Sequence, residues 1–131
     1  MKQSIEQYEH KGFNDDQFQI IKKGIDAGID VSFYSKGRYS SAQMAEIYFG
    51  LKNGVDISLY SDPEFNEYQM YEIRDALERN IDVSLFAKPE FNYKQMSEIK
   101  LGLVKNLNVK SYADSDISPE KMQKYSKKDL T

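Results

Sequence analysis

The chain has no cysteine, no tryptophan, one histidine (His10) and only three prolines in 131 residues. Without cysteine it can form no disulfide, no thiolate zinc site and no cysteine nucleophile. One histidine cannot build a multi-histidine metal site, and no base stands beside a nucleophile in a pattern that suggests a catalytic triad. We therefore expect a protein that is not an enzyme, with no catalytic residue, no metal and no cofactor.

A strong excess of one charge is also lacking. Lys and Arg number 18 against 21 Asp and Glu, which gives a formal net charge of −3. Nucleic acids and anionic membranes are bound by cationic surfaces, so neither is the expected partner. No apolar run approaches the roughly 20 residues of a membrane-spanning helix, and the polar start has no signal-peptide pattern. These features favour a cytoplasmic protein.

What the sequence does contain is a repeat of 26 residues. A Gln-Met pair or a variant of it marks each copy: Gln17-Phe18, Gln43-Met44, Gln69-Met70, Gln95-Met96 and Lys121-Met122. We divide the single repeat domain 1–131 into a half-repeat, four full repeats and a capping helix with its tail: 1–13, 14–39, 40–65, 66–91, 92–117 and 118–131.

Each repeat carries the start and stop signals of one helix of about a dozen residues. Asn or Ser followed three residues later by Gln, as in Asn14 and Gln17, has the spacing of a capping box. Apolar residues on both sides of each cap fit a hydrophobic staple. At the other end, one column holds only glycine or asparagine, the residues that best tolerate the left-handed conformation ending a helix. Its members are Gly28, Gly54, Asn80 and Asn106.

The apolar residues that recur are the fourth, seventh and eleventh of each helix, which predicts a narrow core stripe. Position ten holds glycine in three copies and Ala76 in the other, and we attribute this column to the close approach of a neighbouring backbone. The Asp-Val-Ser segment between helices could be extended, but an Asp-capped 3₁₀ or α turn is favoured. A single amphipathic helix cannot bury its stripe alone. We therefore predict an all-α fold, a small α-solenoid of about five stacked helices.

The pattern Phe-Asn-x-x-Gln-Met-x-x-Ile-x-x-Gly-Leu, followed by Gly-Val-Asp-Val-Ser, resembles tandem repeats in proteins of conjugative transposons and phages of Gram-positive bacteria. The resemblance covers roughly residues 4–125. It implies an interaction module of a kind that mobile elements encode, and carries over no catalytic residue. Lys110, Ser111 and Lys121 depart from the pattern in the last copy, as expected of a terminal capping repeat.

Three tyrosines do not recur from copy to copy. Tyr48, Tyr71 and Tyr93 occupy the eighth, fifth and first positions of successive helices, which share one side of a helix. We predict that they form a partner-binding flank that Phe49 and Tyr68 extend, because tyrosine is enriched where binding energy concentrates. The alternative is that the rings cover the seams between repeats.

The most favoured function is a non-enzymatic protein–protein interaction module or scaffold. The sequence leaves open which protein binds and how many copies of the chain assemble. The alternative function is an acidic decoy that inhibits a nucleic-acid enzyme, which the net charge of −3 supports only weakly. The recurring carboxylates Glu46, Glu72 and Glu98 are expected to lie on a solvated or backbone-bonding flank rather than at a metal.

Overall fold

A computed structural model describes residues 2–129. This part of the chain is all-helical, as predicted, and contains no strand. The α-helices are α1 (Asp15–Asp26), α2 (Ser41–Lys52), α3 (Glu67–Glu78), α4 (Tyr93–Val104) and α5 (Pro119–Asp129). Short 3₁₀ turns lie at Ile5–Tyr8, Val31–Phe33, Ile57–Leu59 and Val109–Ser111. Over the same residues, no helix combines the length and the apolar character needed to span a bilayer.

The chain divides into two compact units, the first ending at Glu67 and the second beginning at Tyr68. The first unit contains α1 and α2, which pack against each other. The second contains α3 after its first residue, α4 and α5, and there α4 packs against α5.

The predicted helix boundaries are confirmed. Reciprocal capping boxes begin three of the helices, at Asn14, Ser40 and Asn92. Pro119 opens α5, where the Ser118 hydroxyl accepts a 3.1 Å hydrogen bond from the backbone N–H of Lys121. Beyond the helix ends, the glycine and asparagine column is left-handed, with φ of 74°, 76°, 60° and 59° at Gly28, Gly54, Asn80 and Asn106.

The Asp-Val-Ser segment forms a tight turn rather than a strand, as the sequence favoured. The Asp30 carboxylate accepts hydrogen bonds from the hydroxyl and the backbone N–H of Ser32, at 2.6 and 3.0 Å. These two bonds lower the pKa of Asp30, because they stabilise its ionised form. Asp56 and Asp82 cap their turns in the same way. The aspartate column is therefore explained by local capping.

The glutamine of each capping box has a second role that the sequence did not reveal. While its Oε1 caps its own helix, its Nε2 donates to the backbone carbonyl 22 residues later, two residues before the next helix begins. In the first unit these bonds run from Gln17 to Tyr39 (2.7 Å) and from Gln43 to Phe65 (2.7 Å). In the second they run from Gln69 to Phe91 (2.6 Å) and from Gln95 to Ile117 (2.8 Å). Each glutamine is a buried clamp that ties its own helix to the segment leading into the next helix.

The buried face of the helices lacks one of the three positions predicted for the core stripe, the eleventh. The fourth and seventh residues of α2, α3 and α4 are fully buried, as predicted: Met44, Ile47, Met70, Ile73, Met96 and Ile99. The eleventh residue, for example Leu77, is only half-buried, so its predicted core role is wrong. The third and tenth residues are buried in its place. The third carries the glutamine clamp, and the tenth lies against a turn residue that follows the helix in the same repeat.

That turn residue explains the glycine column. At this turn position the four repeats have Tyr34, Tyr60, Phe86 and Tyr112, and all four side chains are fully buried. A Cβ atom added at Gly24 would overlap the Tyr34 hydroxyl, and Gly50 has the same relation to Tyr60. The prediction that a backbone excludes larger residues was therefore wrong, because the close neighbour is a tyrosine side chain.

The third repeat shows the exception that this explanation requires. Phe86 stands where the other copies have tyrosine, and Ala76 stands where they have glycine. Both side chains are fully buried. Phenylalanine has no hydroxyl, so the alanine Cβ occupies space that the tyrosine oxygen fills elsewhere. The two columns thus vary together within a single chain.

The buried Tyr34 hydroxyl, which donates to the Ile20 carbonyl at 2.8 Å, makes stability sensitive to alkaline pH. Burial raises the pKa of Tyr34, and the charges of Tyr48 and Tyr8 raise it further. A group whose pKa is higher in the folded chain contributes stability below its unfolded pKa, about 10 for tyrosine, and that stability is lost above it. We expect the free energy of unfolding to fall above about pH 10. Urea unfolding at a series of pH values should show a shallower fall in Tyr34→Phe; equal falls would contradict this assignment.

Candidate protein-binding surface

Tyr48 belongs to the core of the first unit and not to an exposed flank. It is only 2% exposed. Its ring centroid lies 5.3 Å from that of half-buried Phe49 and 5.3 Å from the Lys23 ammonium of α1. The prediction that Tyr48 is displayed to a partner is therefore wrong. The eighth position of α2 turns toward the preceding helix, where the ring covers a seam.

The other three predicted tyrosines lie in the second unit and are exposed. Tyr68, Tyr71 and Tyr93 retain 57%, 45% and 39% of their accessible surface. Tyr68 of α3 and Tyr93 of α4 form a pair with ring centroids 5.2 Å apart. Tyr71 lies one turn after Tyr68 on α3, under the guanidinium of Arg74 at 5.5 Å. We call these three rings the tyrosine flank.

A groove of about 290 Å³ adjoins the tyrosine flank at Tyr93. Residues of all three helices of the second unit line it: Glu72, Tyr93, Lys94, Ser97, Glu98, Pro119, Glu120 and Gln123. Three of these side chains are carboxylates and one is an ammonium. The groove thus joins an aromatic edge to a mainly acidic floor.

Glu72, the buried carboxylate of the groove, is neutralised by Lys100 of α4. The Lys100 ammonium lies 2.6 Å from Glu72 Oε1 and 2.8 Å from Asp75 Oδ2, both on α3. It also lies 5.7 Å from the centroid of the Tyr71 ring. Burial lowers the pKa of Lys100, but the hydrogen bonds that its ammonium donates to Asp75 and Glu72 offset this, and the pKa lies above its ordinary value. The three charged groups form one buried network.

Sequence reasoning missed this network, because the glutamate column was expected to be solvated. A signal was nevertheless present: the eighth helix position, two residues after the glutamates, holds Lys22, Tyr48, Arg74 and Lys100. Three of the four are basic. An alignment of that basic column with the acidic one would have indicated ion pairs between neighbouring helices.

Within residues 2–129, no group of three or more histidine, aspartate or glutamate side chains is placed to hold a metal ion. No protein-family model, curated protein or solved structure matches the chain. The geometry of the tyrosine flank and its groove therefore carries the functional argument.

Proposed function

We propose that the chain is a non-enzymatic protein-binding module whose partner docks on the tyrosine flank of the second unit. The contact between two exposed rings, Tyr68 and Tyr93 at 5.2 Å, beside an open groove carries this proposal. Rigid aromatic side chains supply large contact areas at low entropic cost, and they are enriched at binding hot spots. A groove that adjoins such rings offers a partner side chain a place to be enclosed.

The proposal includes a scaffold, a small α-solenoid in which each repeat stacks on the one before it. The glutamine clamp supports it, because the same bond over 22 residues recurs in each of the two units. Solenoids bind proteins along surfaces built from equivalent positions of successive repeats. The tyrosine flank likewise takes residues from successive helices, α3 and α4, although from different positions in the two.

The test is a double substitution, Tyr68→Ala with Tyr93→Ala. We expect it to remove a partner that the wild-type chain captures from extracts of its source cells. Because both rings are exposed, the free energy of unfolding should change by only about 0.5 kcal/mol. Phe33→Ala in the first unit is the matched control, since Phe33 is 48% exposed and lies outside the flank. Capture that survives the double substitution, or capture lost equally with Phe33→Ala, would contradict the proposal.

A further inference from the structure

The second unit has two equivalent positions where neighbouring helices meet, one between α3 and α4 and one between α4 and α5. The charged residues at these two positions differ. Between α3 and α4, Glu72 at the sixth helix position meets Lys100 at the eighth position of the next helix, 2.6 Å away. One repeat later, the sixth position of α4 is again a glutamate, Glu98, but the eighth position of α5 is Ser126. Between α4 and α5 the carboxylate is therefore present, but the lysine is not.

Nothing else in the described part of the chain replaces that lysine. The structure shows no ion pair for Glu98 within residues 2–129. The Ser126 hydroxyl is directed to its own helix, where it donates to the carbonyl of Gln123 at 2.8 Å. Glu98 instead lines the groove, together with Glu120 and the exposed ring of Tyr93.

We propose that this groove binds an arginine side chain from a linear segment of the protein partner, which supplies the cation that Ser126 does not. The inference rests on the proposed protein-binding function. The chain already shows how such a cation is held, because the Lys100 ammonium lies 2.6 Å from Glu72, 2.8 Å from Asp75 and 5.7 Å from the centroid of the Tyr71 ring. Glu98 and Tyr93 offer a carboxylate and a ring of the same kinds in the groove, where Leu101 stands at the position equivalent to Asp75.

Arginine fits this groove better than lysine for a geometric reason. A guanidinium is planar, so it can stack on a tyrosine ring while its edge donates to a carboxylate. Lys100 neutralises Glu72, which leaves two carboxylates in the groove, Glu98 and Glu120, and one ammonium, Lys94. The net charge of the groove therefore favours a cation. The ammonium of exposed Lys94 would repel a second cation placed beside the first. The groove therefore favours an isolated arginine over a polybasic run.

The probe is a short synthetic peptide, acetyl-Gly-Arg-Gly amide, with lysine and glutamate analogues, titrated into the full chain. Amide shifts in nuclear magnetic resonance spectra report where it binds. We expect shifts in 93–98 and 119–126, and an affinity at least about threefold higher for the arginine peptide than for the lysine peptide. Equal affinities, shifts elsewhere, or binding of the glutamate peptide to the same amides would overturn the inference.

The sharpest variant is Ser126→Lys, which places an ammonium one repeat after Lys100 and lets the chain fill its own site. We expect it to weaken the arginine peptide about tenfold, whereas Ser126→Gln, similar in length but neutral, should retain binding. Glu98→Gln should weaken binding, and Glu90→Gln, an exposed charge change outside the groove, should not. Binding that persists in Ser126→Lys and in Glu98→Gln would also overturn the inference.

The same variants separate this inference from the proposed function. If the Tyr68→Ala and Tyr93→Ala pair loses the captured partner while Glu98→Gln and Ser126→Lys keep it, protein binding stands and the arginine site is wrong. If the tyrosine pair keeps the partner, protein binding at the flank itself fails.

Discussion

Replacing Gly50 by alanine is expected to destabilise the chain by about 2–3 kcal/mol, although alanine is the better helix former by about 1 kcal/mol. The added Cβ would overlap the Tyr60 hydroxyl and lie 2.9 Å from Ile57 Cγ2. Tyr60 is fully buried, and its hydroxyl donates to the Glu46 carbonyl at 2.7 Å. The ring therefore cannot withdraw without losing a buried hydrogen bond. Urea unfolding at pH 7 measures the loss.

The third repeat supplies the rescue for this substitution. There Ala76 lies beside Phe86, so adding Tyr60→Phe to Gly50→Ala should recover about 1 kcal/mol or more of the loss. Recovery is expected to be partial, because Ile57 still crowds the new methyl group. Gly37→Ala is the control, since no atom lies within 4 Å of a Cβ at that position. Additive effects of the two substitutions would show that the hydroxyl is not what excludes the alanine.

The sequence predicted the local structure of this chain well, because local signals decide it. A capping box, a left-handed asparagine or an Asp-capped turn is specified by residues within a few positions of one another. Asn14 with Gln17 and Asn106 after α4 needed no knowledge of distant residues. Repetition at 26 residues made each signal visible several times.

Contacts of a helix with later turns and helices were harder to predict, since they join residues far apart in the chain and depend on which side of a helix meets the next element. The glycine column suggested a close neighbour but not its identity, because a backbone and a tyrosine oxygen both exclude a Cβ. Tyr48 was placed on the wrong side for the same reason. Its helix position matches that of Lys100, whose buried ion pairs show that this position faces the preceding helix.

Changing Gln95 to glutamate is expected to cost about 2–4 kcal/mol at pH 7, although a capping box accepts either residue. The glutamate would keep the bond that Oε1 now accepts from the Asn92 N–H at 2.9 Å. It would lose the Nε2 donor, which binds the Ser115 carbonyl at 2.9 Å and the Ile117 carbonyl at 2.8 Å. A carboxylate oxygen would then face two carbonyl oxygens at a position that is 4% exposed. Thermal and urea unfolding measure the difference.

The pH dependence of that variant distinguishes the lost clamp from a lost cap. Repulsion from the carbonyls would raise the pKa of the new carboxyl above its unfolded value, so the destabilisation should shrink as the pH falls and the group protonates. Gln7→Glu is the matched control, because exposed Gln7 accepts from the Ser4 N–H at 3.0 Å and, within residues 2–129, makes no clamp bond to the segment before the next helix. It should change stability by less than about 0.5 kcal/mol. Similar losses in the two variants would mean that the glutamine column serves its own helix alone and does not tie it to the segment leading into the next helix.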